Sequence, residues 1–232
     1  MTSGRSGAAG IEWVLGVLLA VLVLAMGFQG MARLQRALTH ATARSELESA
    51  FAAVTRILGD ELRAGVPGRD WWVYPPDSVA VRAFRGTATV CAARGAELTV
   101  SFRGDRVAVP AKDSVLVLDG DSRWSVAALT RVGPSSGPCG NGRPERWVLD
   151  RSIPDATVVR LYERGVYILA GGTLRYRRGA AGRQPLTYAR LDSLGSRLTS
   201  GSASVGLVLS GIGGGSAGLV RSPTLRARNP LP

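Results

Sequence analysis

Histidine is nearly absent from this chain: there is one, His40, and none in residues 65–232. A Ser-His-Asp or Cys-His arrangement therefore has no base in that whole region. Cysteine is limited to Cys91 and Cys139, and neither sits in a CxxC pair, so the spacing of a zinc site is missing too. Asp113, Asp119 and Asp121 form the one acidic grouping suited to calcium, although aspartates so placed ordinarily cap a turn. Gly213-Gly214-Gly215-Ser216-Ala217-Gly218 fits GxGxxG, but no helical pattern follows and no acid lies about 20 residues on, so a hairpin loop is the better reading than a dinucleotide site. These absences predict a chain that is not an enzyme and needs no metal or cofactor.

One long apolar run is present, Trp13 to Phe28, and a carboxylate, Glu12, stands at its head. In lipid a carboxylate costs about 2.5–3.5 kcal/mol at a helix centre and less near the interface. A secretory signal has a basic start, a purely apolar middle and a small-residue cleavage site, so Glu12 does not belong in one. Sixteen residues make roughly 24 Å of helix, marginal for a bilayer, and extending the run back to Ala8 makes it long enough. Two alternatives to a specialised segment remain: an uncleaved signal anchor, and a signal peptide cut after Ala25-Met26-Gly27.

No helix breaker follows between Met31 and Leu58, and Gly65-Val66-Pro67 supplies the stop. One helix from about residue 10 to about residue 64 is expected, far longer than the ~11–12 residue average. Its second half carries two apolar stripes. Met31, Leu34, Leu38 and Ala41 lie on one side; Leu47, Phe51, Val54, Leu58 and Leu62 lie roughly opposite. Two stripes suggest two partners, the chain's own head for the later one and neighbouring subunits for the earlier; curvature of the helix is the plainer explanation.

The N-terminal residues resemble a type III prepilin leader, a short hydrophilic peptide ending in glycine with a glutamate five residues after it. The resemblance implies a leader 1–7 cut between Gly7 and Ala8 by a prepilin peptidase, N-methylation of Ala8, a spine helix 8–64 whose membrane half covers about 11–30, and a head 65–232. Glu12 would then accept the N-terminal amine of a neighbouring subunit and set register during assembly. Ala8, Gly10, Ile11 and Trp13 depart from the usual residues of such a leader junction. The junction Arg56 to Gly65, the segment Tyr167 to Arg178 and the end Thr224 to Asn229 are similar to minor pilins and pseudopilins of the PilW/PulJ type. The implied partners are the prepilin peptidase, other pilin or pseudopilin subunits, the inner-membrane assembly platform and membrane lipid. The implied location is the inner membrane in a single pass with the head outside, and then a type IV pilus or type II secretion pseudopilus. A signal-anchored envelope protein outside any filament is the alternative.

The head reads as mostly antiparallel β, giving an α+β chain. Strands are expected at 78–84, 88–92, 97–102, 106–109, 114–118, 122–130, 146–150, 157–164, 166–170, 173–177, 205–210 and 217–228, with Gly171-Gly172 as a hairpin turn. Trp71-Trp72-Val73-Tyr74-Pro75-Pro76 suits a partner surface, a lid on the helix or core packing. In an exported head Cys91 and Cys139 suggest one disulfide, worth roughly 3–4 kcal/mol in the chain-entropy picture; two free thiols are the other possibility. Residues 8–64 carry five arginines and five acids, whereas the head carries 23 Lys and Arg against 12 Asp and Glu. The excess is dispersed, with Arg175, Arg177 and Arg178 the one tight group. A basic head of this kind suits an adhesive or DNA-binding pilin, while an alternating Arg-Tyr-Arg strand more often presents a solvated face.

Overall fold

The computed structural model describes residues 6–137, 139, 144–202, 204–211 and 219–226, with side chains from Glu12 onward. A single helix, α1 (Ser6–Ala64), runs for 59 residues, about 90 Å at ~1.5 Å per residue. It begins four residues before the expected start and takes in Ser6 and Gly7 of the expected leader, because nothing there interrupts the helical backbone. It ends where Gly65 and Pro67 require. The Arg160 guanidinium donates to the Ala64 carbonyl at 2.9 Å, satisfying one of the orphan acceptors of the last turn.

The two stripes of α1 have different fates. Leu47, Ala50, Phe51, Val54, Leu58 and Leu62 are buried, each 4% exposed or less, whereas Met31, Leu34 and Leu38 are 59–65% exposed. The segment from Glu12 is long and apolar enough to cross a membrane: its most apolar 18 residues have a mean hydropathy of 2.3 and none is buried.

The strands that follow among the described residues pair antiparallel. Nine strands form one sheet: β1 (Trp71–Tyr74), β2 (Ser78–Arg94), β3 (Glu97–Gly104), β4 (Ser114–Leu118), β5 (Trp124–Pro134), β6 (Pro144–Leu149), β7 (Val158–Ala170), β8 (Thr173–Arg178) and β9 (Gln184–Pro185). The long strands β2 and β7 pair with each other from Ser78↔Ile168 to Thr89↔Val158. At the far end of that pair the ring β2-β3-β6-β5-β4-β7 closes on itself, a six-stranded barrel. Closure removes the exposed edges that a short antiparallel sheet would offer. At the near end β1 extends the sheet beyond β2, and β8 and β9 extend it beyond β7. A second small sheet comprises β10 (Arg197–Ser200), β11 (Ser204–Ser210), β12 (Val220–Arg221) and β13 (Thr224–Arg226).

This division produces two cores. The barrel is filled by Leu98, Val100, Val115, Val117, Trp147, Val159 and Leu161 among others, the inward residues of alternating strands. The other core joins the buried stripe of α1 to Val79, Val81, Tyr167, Leu169 and Leu174 of the large sheet and to Leu198, Val205, Leu207, Leu209 and Leu225 of the small one. Both sheets therefore hold the C-terminal half of α1, and its N-terminal half projects free of the head.

Several strand expectations need correction. Residues 78–84 and 88–92 are one strand, because Arg85-Gly86 forms a bulge rather than a turn, and 158–170 are one strand, β7, because Gly165 continues the ladder between Val81 and Arg178. Residues 106–109 are not a strand: they wrap around Asp113, whose carboxylate accepts the Val109 amide at 2.7 Å. The strand expected at 217–228 is divided into β12 and β13, with 217–218 and 227–228 outside the described residues. Trp71 to Tyr74 is the edge strand β1, with Trp71 in the core and Trp72 outside. The expected GxGxxG loop, 213–218, also lies outside the described residues.

Candidate functional site: the projecting helix and its junction with the head

Glu12 stands on α1 with its side chain exposed, next to Trp13, which is 78% exposed. Gly7 and Ala8 belong to the same helix as backbone. From Val14 to Phe28 every large apolar side chain is between 49% and 80% exposed. A helix apolar all round over this length is compatible with a single membrane pass.

Beside the apolar core that holds α1, a largely buried network of charges ties Glu61 of the helix to the head. Arg85 continues the inward register of Val79, Val81 and Ala83 on β2, and the bulge that follows it shifts that register so that Ala88 faces in. Its Nη1 donates to Glu61 of α1 at 2.9 Å, and its Nε and Nη2 donate to Glu163 of β7 at 3.0 and 2.9 Å. The Tyr167 hydroxyl donates to Glu61 at 2.8 Å and the Tyr176 hydroxyl to Glu163 at 2.9 Å. Arg106 grips Asp113 with both terminal nitrogens, at 2.7 and 2.6 Å, and reaches the second oxygen of Glu163 at 3.0 Å. Arg178 approaches the same carboxylate at 3.7 Å. Gly165 makes room for the Tyr176 ring, since any Cβ there would overlap it. Further along the helix Arg190 donates to Glu46 at 2.7 Å.

The charge states follow from this geometry. Burial alone would push the Glu163 carboxyl up, but hydrogen bonds from Arg85 and Tyr176 and the charges of Arg85 and Arg106 hold it below the usual carboxylate range. Burial opposes the charge of Arg85, and Glu61 and Glu163 outweigh it and raise its pKa. Burial and then Glu61 raise Tyr167, and burial and then Glu163 raise Tyr176, so both phenols stay protonated donors. A cleft of about 580 Å³ opens over this cluster, lined by Glu61, Arg85, Arg106, Glu163, Tyr176 and Arg178 among others. Arg85 and Arg106 are both paired with carboxylates there, and through Glu61 the cluster ties α1 to the large sheet.

The remaining candidates fall elsewhere. Cys91 and Cys139 are joined by a disulfide with Cα atoms 5.4 Å apart. The bond ties the segment after β5 to the end of β2. Replacing either cysteine with serine should lower stability by about 3–4 kcal/mol; thermal unfolding of the full chain in detergent would show it, and reductant should shift the wild type but not the variant. Asp113, Asp119 and Asp121 do not converge. Asp113 is taken by Arg106, Asp119 accepts the Arg123 amide at 2.8 Å and so caps the β4–β5 turn, and Asp121 faces Arg123. No group of three metal-ligating side chains occurs among the described residues. His40 lies on the exposed stretch of α1.

Reading the sequence did not find Glu61, Arg85, Arg106 or Glu163. A register signal existed for two of them, Arg85 and Glu163. Val159, Leu161, Glu163, Tyr167 and Leu169 share the inward register of β7, and a lone carboxylate among them needs a buried cation. Arg85 follows Val79, Val81 and Ala83 at the same alternation, but the Arg85-Gly86 pair reads as a turn that ends the strand.

Fold and junction together define a class: a single apolar helix, projecting at its N-terminal end and fastened at its C-terminal end into an antiparallel β head. Compared with known proteins, the chain matches no family model, no curated protein and no solved structure.

Proposed function

We propose that the chain is a minor pilin or pseudopilin, a structural subunit that joins or primes a type IV pilus or a type II secretion pseudopilus. One observation carries the reading: a single 59-residue helix is bare and apolar over its first half and locked into a β head over its second. Such a helix serves as a membrane anchor before assembly and as a packing spine after it. The subunit sits in the inner membrane in a single pass, with its head on the far side, and is processed by a prepilin peptidase between Gly7 and Ala8. Ala8 is then methylated. Glu12 meets the N-terminal amine of its neighbour, because a carboxylate in low dielectric is tolerated only when paired. Its work is assembly rather than catalysis.

The test is the intact mass of the membrane-extracted protein, with and without a co-expressed prepilin peptidase. Removal of residues 1–7 and a gain of one methyl group are expected, and Gly7→Val should leave the full-length chain. An unchanged mass beside an active peptidase would overturn the proposal and leave a signal-anchored envelope protein.

A further inference from the structure

The outer face of the large sheet, turned away from α1, has a composition that the assembly role does not use. Register places its side chains in rows. Tyr74, Ser78, Ile168 and Arg175 form one row across β1, β2, β7 and β8; Trp72, Ala80, Val166 and Arg177 form the next; Arg82 and Arg164 form a third. The alternate residues Trp71, Val79, Val81, Tyr167, Leu169 and Leu174 point into the core. These rows hold four arginines and no carboxylate. Asp70, just before β1, is buried and engages Arg82 at 3.2 Å. Arg164, Arg175 and Arg177 make no ion pair among the described residues, and the buried Nε of Arg177 has no hydrogen-bond partner. Beside them Trp72 is 39% and Tyr74 58% exposed.

A shallow cavity of about 290 Å³ opens on this face, lined by Trp72, Ala80, Val166, Arg82 and Arg164 among others. Neighbouring strands lie about 4.8 Å apart, so Trp72 and Arg177 stand roughly 14 Å from each other across the sheet.

We propose that this face binds single-stranded nucleic acid, with bases stacked on Trp72 and Tyr74 and phosphates held by Arg164, Arg175 and Arg177. Uncompensated cations alone would suit any polyanion. The exposed aromatics single out an occupant with open π-faces, which a single strand presents and a duplex keeps inside its own stack. A sheet face with dispersed cations and two aromatic platforms is a sequence-tolerant surface, so little base preference is expected. The proposal does not depend on the filament reading, since it uses none of α1.

The experiment is fluorescence anisotropy of a labelled 15-nucleotide deoxythymidine strand titrated with the full chain in a non-ionic detergent at low salt. Binding is expected, and with three phosphates neutralised the logarithm of affinity should fall with the logarithm of salt at a slope of roughly 2. Trp72→Ala should weaken binding roughly 5- to 150-fold, with Trp72→Phe restoring most of it. Combining Arg164→Ala with Arg177→Ala should reduce the salt slope by roughly 1.4. Arg131→Ala, an exposed change on β5, should alter neither. No binding at low salt, an unchanged affinity for Trp72→Ala, or equal competition by duplex of the same length or by anionic lipid vesicles would each overturn the proposal.

Discussion

Replacing Glu163 with alanine should destabilise the head by about 3 kcal/mol, the lower end of the range for removing one partner of a buried ion pair. The side chain is 6% exposed, and three arginines and a tyrosine converge on it. Its removal leaves cationic nitrogens of Arg85 and Arg106 facing a cavity. The loss falls at the lower end because Arg85 keeps Glu61 and Arg106 keeps Asp113. Against a typical stability of 5–15 kcal/mol that is a large share. Glu163→Gln keeps the shape and one acceptor and should cost less. The pH dependence has a definite sign. Because the folded carboxyl titrates below the unfolded one, which lies near 4.3, the contribution of Glu163 is complete above about pH 5 and disappears as pH falls through the folded value. Urea unfolding of the full chain in detergent at a series of pH values would measure both. The wild type should lose stability on the acid side, and Glu163→Gln should have a flatter acid limb. Equal acid limbs would mean that the arginines hold nothing through this residue.

The helix was legible in sequence because its signals are local. An apolar run, a stretch without breakers and a Gly-Val-Pro stop are read one residue at a time, and the stripe from Leu47 to Leu62 falls on the buried face. The strand content was legible too, since alternation and turn glycines are equally local; the turn at Gly171-Gly172 has both residues at positive φ, as a two-residue hairpin loop demands. The barrel was not legible. Its closure depends on β2 and β7 each pairing with different strands at their two ends, and Arg85-Gly86 reads as a turn until its neighbours make it a bulge. The anchoring network was hidden for the same reason: Glu61, Arg85, Arg106 and Glu163 come from four separate segments, and two of them, Glu61 and Arg106, are ordinary surface residues in sequence. Trp71 and Trp72 show the limit on a small scale. Adjacent tryptophans in a strand must face opposite ways, so one is core and the other surface, but only the sheet decides which.

The division of α1 into a held half and a bare half yields the second large effect. Leu58 is fully buried between the sheets, and Leu58→Ala should cost about 2–5 kcal/mol through lost burial and the cavity left behind. Leu34 is 60% exposed on the opposite stripe, and Leu34→Ala should change unfolding by no more than about 0.5 kcal/mol. The two are chemically identical truncations on one helix, so the contrast isolates where the head ends. Chemical unfolding of both variants as full chains in detergent measures it. If the bare half packs against other subunits in a filament, Leu34→Ala should also lower the amount of chain recovered in sheared filaments while leaving the membrane pool intact. Leu58→Ala should lower both together, because a head that unfolds is lost before assembly. Equal recovery of Leu34→Ala and wild type in filaments would show that the exposed stripe has no subunit partner, and its apolar character would then belong to the membrane alone.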